Sequence, residues 1–123
     1  MLRTGVDMIE VARVEEAAIR HGERFYQRFF TAGERAYAGQ RFASLAARFA
    51  AKEAVAKALG TGIGDVSWQE IEVVNGDRNQ PLLILHGAAK RLAAELGLTE
   101  WSLSISHTHD HAIAFVVAKG DDR

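Results

Sequence analysis

The sequence contains no cysteine, a single proline and no long hydrophobic run. Without cysteine, neither a disulfide framework nor a thiolate-ligated metal centre can form. That fits a reducing, cytoplasmic setting. No apolar stretch approaches the ~20 residues that span a bilayer, so no membrane association is expected. The start, Met1-Leu2-Arg3-Thr4-Gly5-Val6-Asp7, has no basic region followed by an apolar run, so no secretory leader is expected either. A surplus of one charge is missing too. Fifteen Lys and Arg stand against 16 Asp and Glu, for a net charge of −1. Overall charge therefore makes no case for nucleic acid, and charge arguments must rest on local clusters.

What remains is an ordinary globular mixture, 48% hydrophobic and 25% charged over 123 residues. One domain spanning residues 1–123, with a small core, is expected. Gly5 to Val11 reads as a short strand, and residues 12–30 as a helix. Arg13, Arg20, Arg24 and Arg28 are spaced by seven, four and four, which places them on one face of such a helix. Ser44 to Leu59 is Ala-rich and free of Gly and Pro, with Ser44 as a candidate cap. Gly60, Gly62 and Gly64 would end that helix. Trp68 to Val74 reads as a strand, Asn75-Gly76 as a turn, Leu82 to Leu85 as a strand after Pro81, and Gly87 to Leu96 as a helix stopped by Gly97. Trp101, Leu103 and Ile105 alternate with Ser102, Ser104 and Ser106, the pattern of a half-buried strand. Ala112 to Ala118 is an apolar strand, joined to it as a hairpin across His107 to His111. Strands and helices mix without strict alternation, which indicates the α+β class.

Three clusters could carry chemistry. Asp7 stands between Val6 and Met8 in an apolar strand, where a charge is costly unless paired or metal-bound. A carboxylate on the solvent face of the strand is the plainer alternative. Glu53 and Lys57 are four apart on the Ala-rich helix, so they share a face. They are followed by Gly60-Thr61-Gly62-Ile63-Gly64, a turn whose backbone N–H groups can approach phosphate. The glycines follow the helix rather than precede it, and no Gly-Lys-Ser/Thr ending is present, so this is not a Walker loop. The run His107-Thr108-His109-Asp110-His111 invites a zinc reading if it is extended, and a solvated hairpin loop if it is not.

Taken in order, these pieces resemble the AcpS-type 4′-phosphopantetheinyl transferases over essentially the whole chain. The resemblance rests on Gly5-Val6-Asp7-Met8-Ile9-Glu10-Val11 with Arg13, on Arg48-Phe49-Ala50-Ala51-Lys52-Glu53-Ala54 with Lys57-Ala58 and Gly60-Thr61-Gly62, and on Ser104-Ile105-Ser106-His107-Thr108. It implies the family's fold, a small antiparallel sheet packed with helices and assembled as a homotrimer with sites at the subunit interfaces. It implies transfer of the 4′-phosphopantetheine of coenzyme A to a serine of apo-acyl carrier protein, releasing adenosine 3′,5′-bisphosphate, in fatty acid biosynthesis. Asp7 and Glu53 match the Mg²⁺-binding carboxylates, and Lys57 matches a lysine near the pyrophosphate. Arg48, Lys52, Gly60, Gly62, Pro81, Ser106 and His107 match coenzyme A contacts. Arg13, Arg20 and Arg24 would dock the acidic carrier protein. His109 and His111 match nothing invariant, which weakens the zinc reading. The chain departs from the pattern where many members have Gly-Lys-Pro and this one has Asn79-Gln80-Pro81. Mg²⁺ favours one or two carboxylates plus phosphate oxygens and water, and phosphoryl transfer needs mainly positioning and charge stabilisation. Two routes stay open for the serine proton, Glu53 itself or a water held by the metal.

Overall fold

The computed structural model describes residues 1–120. The chain runs β1 (Leu2–Glu10), α1 (Val11–His21), α2 (Glu23–Phe29), α3 (Ala32–Ala38), α4 (Phe42–Leu59), a 3₁₀ turn (Trp68–Glu70), β2 (Ile71–Asn75), β3 (Pro81–Leu85), α5 (Gly87–Glu95), β4 (Leu98–His107) and β5 (His111–Gly120). The α+β class is as expected. The strands form two antiparallel sheets, one of three strands ordered β1-β5-β4 and one of two, β2-β3. Val6 pairs with Phe115 and Asp7 with Ala114 across β1 and β5. Ser104 pairs with Phe115 and Ile105 with Ala114 across β4 and β5.

Helix α4 is the centre of the fold. Twelve of its 18 residues are buried, because a helix that is small and apolar all round is stable only when covered on most sides. Alanine keeps its radius low enough for close approach by β1. That approach is closest at Gly5, where an added Cβ would overlap the Ala54 carbonyl oxygen and lie 2.7 Å from the Ala54 carbonyl carbon. Two apolar clusters flank the helix. One packs Ala54, Val55 and Leu59 against Val116 and Ala118 of β5, Ile71 and Val73 of β2, and Ala89 and Ala93 of α5. The other packs Leu45 and Ala46 against Val14 of α1, Phe25 of α2 and Phe30.

Four local readings need correction. Residues 12–30 are two helices, because Gly22 adopts φ +57° and ends α1, its N–H closing on the Ala18 carbonyl at 2.8 Å. A left-handed residue redirects the chain at little steric cost only when it is glycine. Arg24 and Arg28 therefore sit on α2 rather than on the helix that carries Arg13 and Arg20. The Ala-rich helix starts at Phe42, with Arg41 at the cap position; Ser44 lies inside the first turn and accepts from the Arg48 guanidinium at 3.1 Å. Trp68 to Glu70 is a 3₁₀ turn, and the strand begins only at Ile71. Helix α3 was not expected, although Thr31-x-x-Glu34 is a capping box, with the Glu34 N–H donating to Thr31 Oγ1 and the Thr31 N–H donating to Glu34 Oε1. The hairpin from His107 to His111 is as read, with the Thr108 N–H donating to the His111 carbonyl at 2.8 Å.

Candidate functional site

β1 pleats so that Arg3, Gly5, Asp7 and Ile9 face α4, while Val6 and Met8 face outward and are exposed. Asp7 is thus on the inward face, not the solvent face. α4 brings Glu53 and Lys57, one turn apart, to the same place. The Lys57 ammonium donates to the Val6 carbonyl at 2.9 Å and to Asp7 Oδ1 at 3.3 Å. Asp7 and Glu53 line one cleft of 460 Å³ with Arg13 and the apolar side chains Val14, Phe25, Phe29 and Phe49. Partial burial raises the Glu53 carboxyl above its ordinary proton affinity, the charge of Asp7 raises it further, and Lys57 opposes both. Two carboxylates close enough to feel each other, in a partly dry cleft with a cation beside them, suit a hard divalent ion. No group of three or more His, Cys, Asp or Glu among the described residues is placed to hold a metal. Any ion here has two protein carboxylates at most, leaving positions for phosphate and water oxygens.

The phenylalanine wall of this cleft is backed by Trp68. Phe49 stacks on Trp68 with ring centroids 4.6 Å apart, and Phe29 meets both rings edge-on or tilted, at 5.4 Å and 5.0 Å. Phe25 and Phe29 also border a neighbouring groove of 420 Å³ lined by Arg24, Arg28 and His21. Arg13 and Arg24 therefore flank linked clefts, although they lie on different helices. Arg20 is exposed and 3.8 Å from Glu16 on its own helix.

Arg48 lies away from the carboxylates. Its guanidinium donates to Asn75 Oδ1 at 2.6 Å and packs over the Tyr37 ring at 4.4 Å, while its Nε is buried with no partner. Arg41 covers the same ring at 4.8 Å. The Tyr37 hydroxyl donates to Asn79 Oδ1 at 3.1 Å. That bond and the two guanidiniums hold the Tyr37 phenol below its ordinary proton affinity. Asn79 has φ +62°, a left-handed conformation that Asn tolerates better than other residues with a side chain. The departure from Gly-Lys-Pro thus keeps the backbone shape that glycine would supply. Pro81 opens β3 opposite Asn75, beside this cluster. Tyr37, Arg41 and Asn75 were not singled out from the sequence, because their meeting depends on α3, which was not foreseen.

Lys52, read from the resemblance as a coenzyme A contact, turns into the interior. It is fully buried and ion-paired to Glu34 at 2.7 Å, and it donates to the Trp68 and Ile71 carbonyls at 2.9 and 2.5 Å. Burial lowers its proton affinity and Glu34 opposes that shift. Gly60 and Gly62 follow α4 with φ +82° and +67°, Gly60 as its left-handed cap. Ser106 and His107 are exposed near the end of β4, two strands away from β1. His107 lines a different cavity, of 740 Å³, with Glu10, Ala43 and the hairpin residues Thr108 to His111. His109 is fully exposed and its ring meets only Asp110, at 3.1 Å. The extended strand that would align His107, His109 and His111 does not form, because the hairpin turns between them.

Two antiparallel sheets packed around a buried helix are an arrangement shared with known proteins. Residues 3–116 match the 4′-phosphopantetheinyl transferase superfamily. The chain belongs to that family. It is 51% identical to a holo-[acyl-carrier-protein] synthase of Herpetosiphon aurantiacus, over 98% of this chain and 100% of that one. It is 48% identical to the Moorella thermoacetica protein of the same name, over 97% and 94%. Among solved structures, the Helicobacter pylori holo-[acyl-carrier-protein] synthase in complex with coenzyme A superposes with a TM-score of 0.87 at 34% identity, covering 94% of this chain and 99% of that one. A Bacillus anthracis holo-(acyl-carrier-protein) synthase in complex with coenzyme A (3′,5′-ADP) gives 0.79 at 39% identity, covering 97% and 96%.

Proposed function

We propose that this protein is a holo-acyl-carrier-protein synthase, moving 4′-phosphopantetheine from coenzyme A to a serine of apo-acyl carrier protein, with residues 1–123 acting as one domain. The observation that carries the reading is the meeting of Asp7 and Glu53 at one cleft, with Lys57 paired to Asp7, in a chain of this family. Asp7 and Glu53 would hold Mg²⁺. When bound, that ion neutralises phosphate charge and steadies the leaving adenosine bisphosphate. Lys57 places a further positive charge beside the developing one. The serine hydroxyl attacks the β-phosphorus, forming the new P–O bond as the bond to the departing bisphosphate breaks. Two routes are open to the serine proton, Glu53 itself or a water held beside it. The phenylalanines of the cleft exclude water from this step. Arg48, with Tyr37 and the loop before Pro81, is the site we assign to the nucleotide end of coenzyme A, and Gly60 and Gly62 border the pyrophosphate. Arg13, Arg20 and Arg24 present positive charge to an acidic carrier protein. No helix among the described residues is long and apolar enough to cross a membrane, in keeping with a cytoplasmic enzyme.

The same reading assigns a homotrimer. Ser106 and His107 do not reach the carboxylate cleft of their own chain, so they serve the site of a neighbour. The outer face of the three-stranded sheet leaves Val6, Met8, Ile113 and Phe115 exposed at 49%, 63%, 41% and 44%. A contiguous apolar sheet face of this kind marks an interaction surface. The deciding experiment is mass spectrometry of apo-carrier protein after incubation with coenzyme A, Mg²⁺ and this protein. A gain of one phosphopantetheine is expected. No gain with a folded, Mg²⁺-loaded sample would overturn the reading.

A further inference from the structure

We infer that Lys52 is a positioning residue, which fixes the aromatic wall of the Glu53 cleft by pinning the 3₁₀ turn that carries Trp68. This goes beyond the reading above and rests on it for what occupies the cleft. An ammonium has three hydrogens, and all three are spent inside the fold, on Glu34 Oε1, the Trp68 carbonyl and the Ile71 carbonyl. The last two flank the 3₁₀ turn, so a single side chain of α4 holds both of its ends. Trp68 is thereby set against Phe49, three residues before Lys52 on the same helix, and against Phe29. Phe29 and Phe49 are the wall that Glu53 shares. Glu34 is braced in turn, accepting from the Thr31 and Val73 N–H groups at 3.0 and 2.9 Å. The pair joins α4, α3 and β2 in a network with no exposed member at its centre, since Lys52 and Glu34 are 0% and 1% exposed.

The consequence is a division of labour between adjacent residues. Glu53 faces the cleft, while Lys52 sets the shape of the aromatic wall beside it. Lys52 itself touches neither substrate. Phe29 and Phe49 line the cleft together with Arg13, and Trp68 backs them, so this wall serves the carrier protein rather than the nucleotide, whose proposed contacts lie at Arg48.

The test replaces both charges, as Lys52→Met with Glu34→Gln, in a Trp101→Phe background where Trp68 is the only tryptophan. Acrylamide quenching of Trp68 should increase, and the carrier-protein KM should rise about tenfold. The dissociation constant of coenzyme A, measured by calorimetry, should change by less than about twofold. Weakened coenzyme A binding with unchanged quenching would make Lys52 a nucleotide ligand and overturn the inference. Unchanged quenching with an unchanged carrier KM would overturn it equally. If the paired variant does not fold, Lys52→Arg takes its place with the same readouts, because it keeps the charge but displaces the bonds to the two carbonyls. Absence of transferase activity in the wild-type protein would refute the proposed function, whereas the quenching result still decides the role of Lys52.

Discussion

Gly5→Ala puts the smallest possible side chain where the fold has no room for one. The new Cβ would overlap the Ala54 carbonyl oxygen, lie 2.7 Å from its carbonyl carbon and 3.2 Å from the Ala58 nitrogen. All three atoms are backbone of a buried helix and cannot swing aside. Carbon atoms rest about 3.5–4.0 Å apart, so β1 and α4 must separate by roughly 1 Å. Overpacking of this kind costs about 1–3 kcal/mol, and for a chain of this size each kcal/mol lowers the melting temperature by about 3–5 °C. A fall of about 3–15 °C is expected by calorimetry. The same displacement moves Asp7 away from Glu53 and Lys57, since one sits on β1 and the others on α4. A misplacement near 1 Å can lower turnover about 100-fold. The assay is phosphopantetheine transfer followed by mass spectrometry, run well below the melting temperature so that the folded enzyme is what is measured. Gly39→Ala separates the two costs of replacing a glycine: its Cβ meets nothing within 4 Å but its φ of +55° strains any side chain, so it should lose stability and keep its turnover. If Gly5→Ala melts within about 2 °C of wild type and keeps its turnover, close approach of strand and helix is not why glycine stands there.

Asp7→Ala and Glu53→Ala should each lose most turnover at saturating Mg²⁺ while circular dichroism stays native; retained activity would remove that residue from the mechanism. Glu53 has its proton affinity raised in the folded chain, so the folded state binds more protons in the window just above the ordinary carboxylate value, and stability falls as pH rises through that window. Glu53→Gln removes the effect, so in metal-free urea melts it should be more stable than wild type near about pH 7 and no more stable near about pH 3; a gain at both would contradict this cause. Lys52→Met alone leaves Glu34 buried without its counter-charge and should cost about 3–5 kcal/mol in chemical denaturation. Glu53→Ala and His107→Ala chains, denatured and refolded together, should recover activity above either parent; no recovery while subunits demonstrably exchange would refute a shared site. His109→Ala with His111→Ala should leave transfer largely intact, and stoichiometric zinc in untagged protein would argue the opposite.

Local information in the chain sufficed wherever neighbours in sequence decide the outcome. The Ala-rich stretch had to be a helix ended by glycine, and the serine-alternating strand had to show one face to solvent, because period and composition set those features. Glu53 and Lys57 share a helical face by spacing alone, and the ordered motifs were enough to suggest the family and the carboxylate pair. Tertiary structure decided what depends on distant segments. Only the β1–α4 packing shows that Asp7 points inward and that Lys57 reaches it across 50 residues of chain. Residues 12–30 read as one helix, and it is the packing of Phe25 and Phe30 with Leu45 of α4 that goes with a break at Gly22. Lys52 and Glu53 are adjacent charges with the same local signal. One is buried on Glu34 and the other opens to the cleft, because a helix turns by about 100° per residue and the fold covers only one of those two directions.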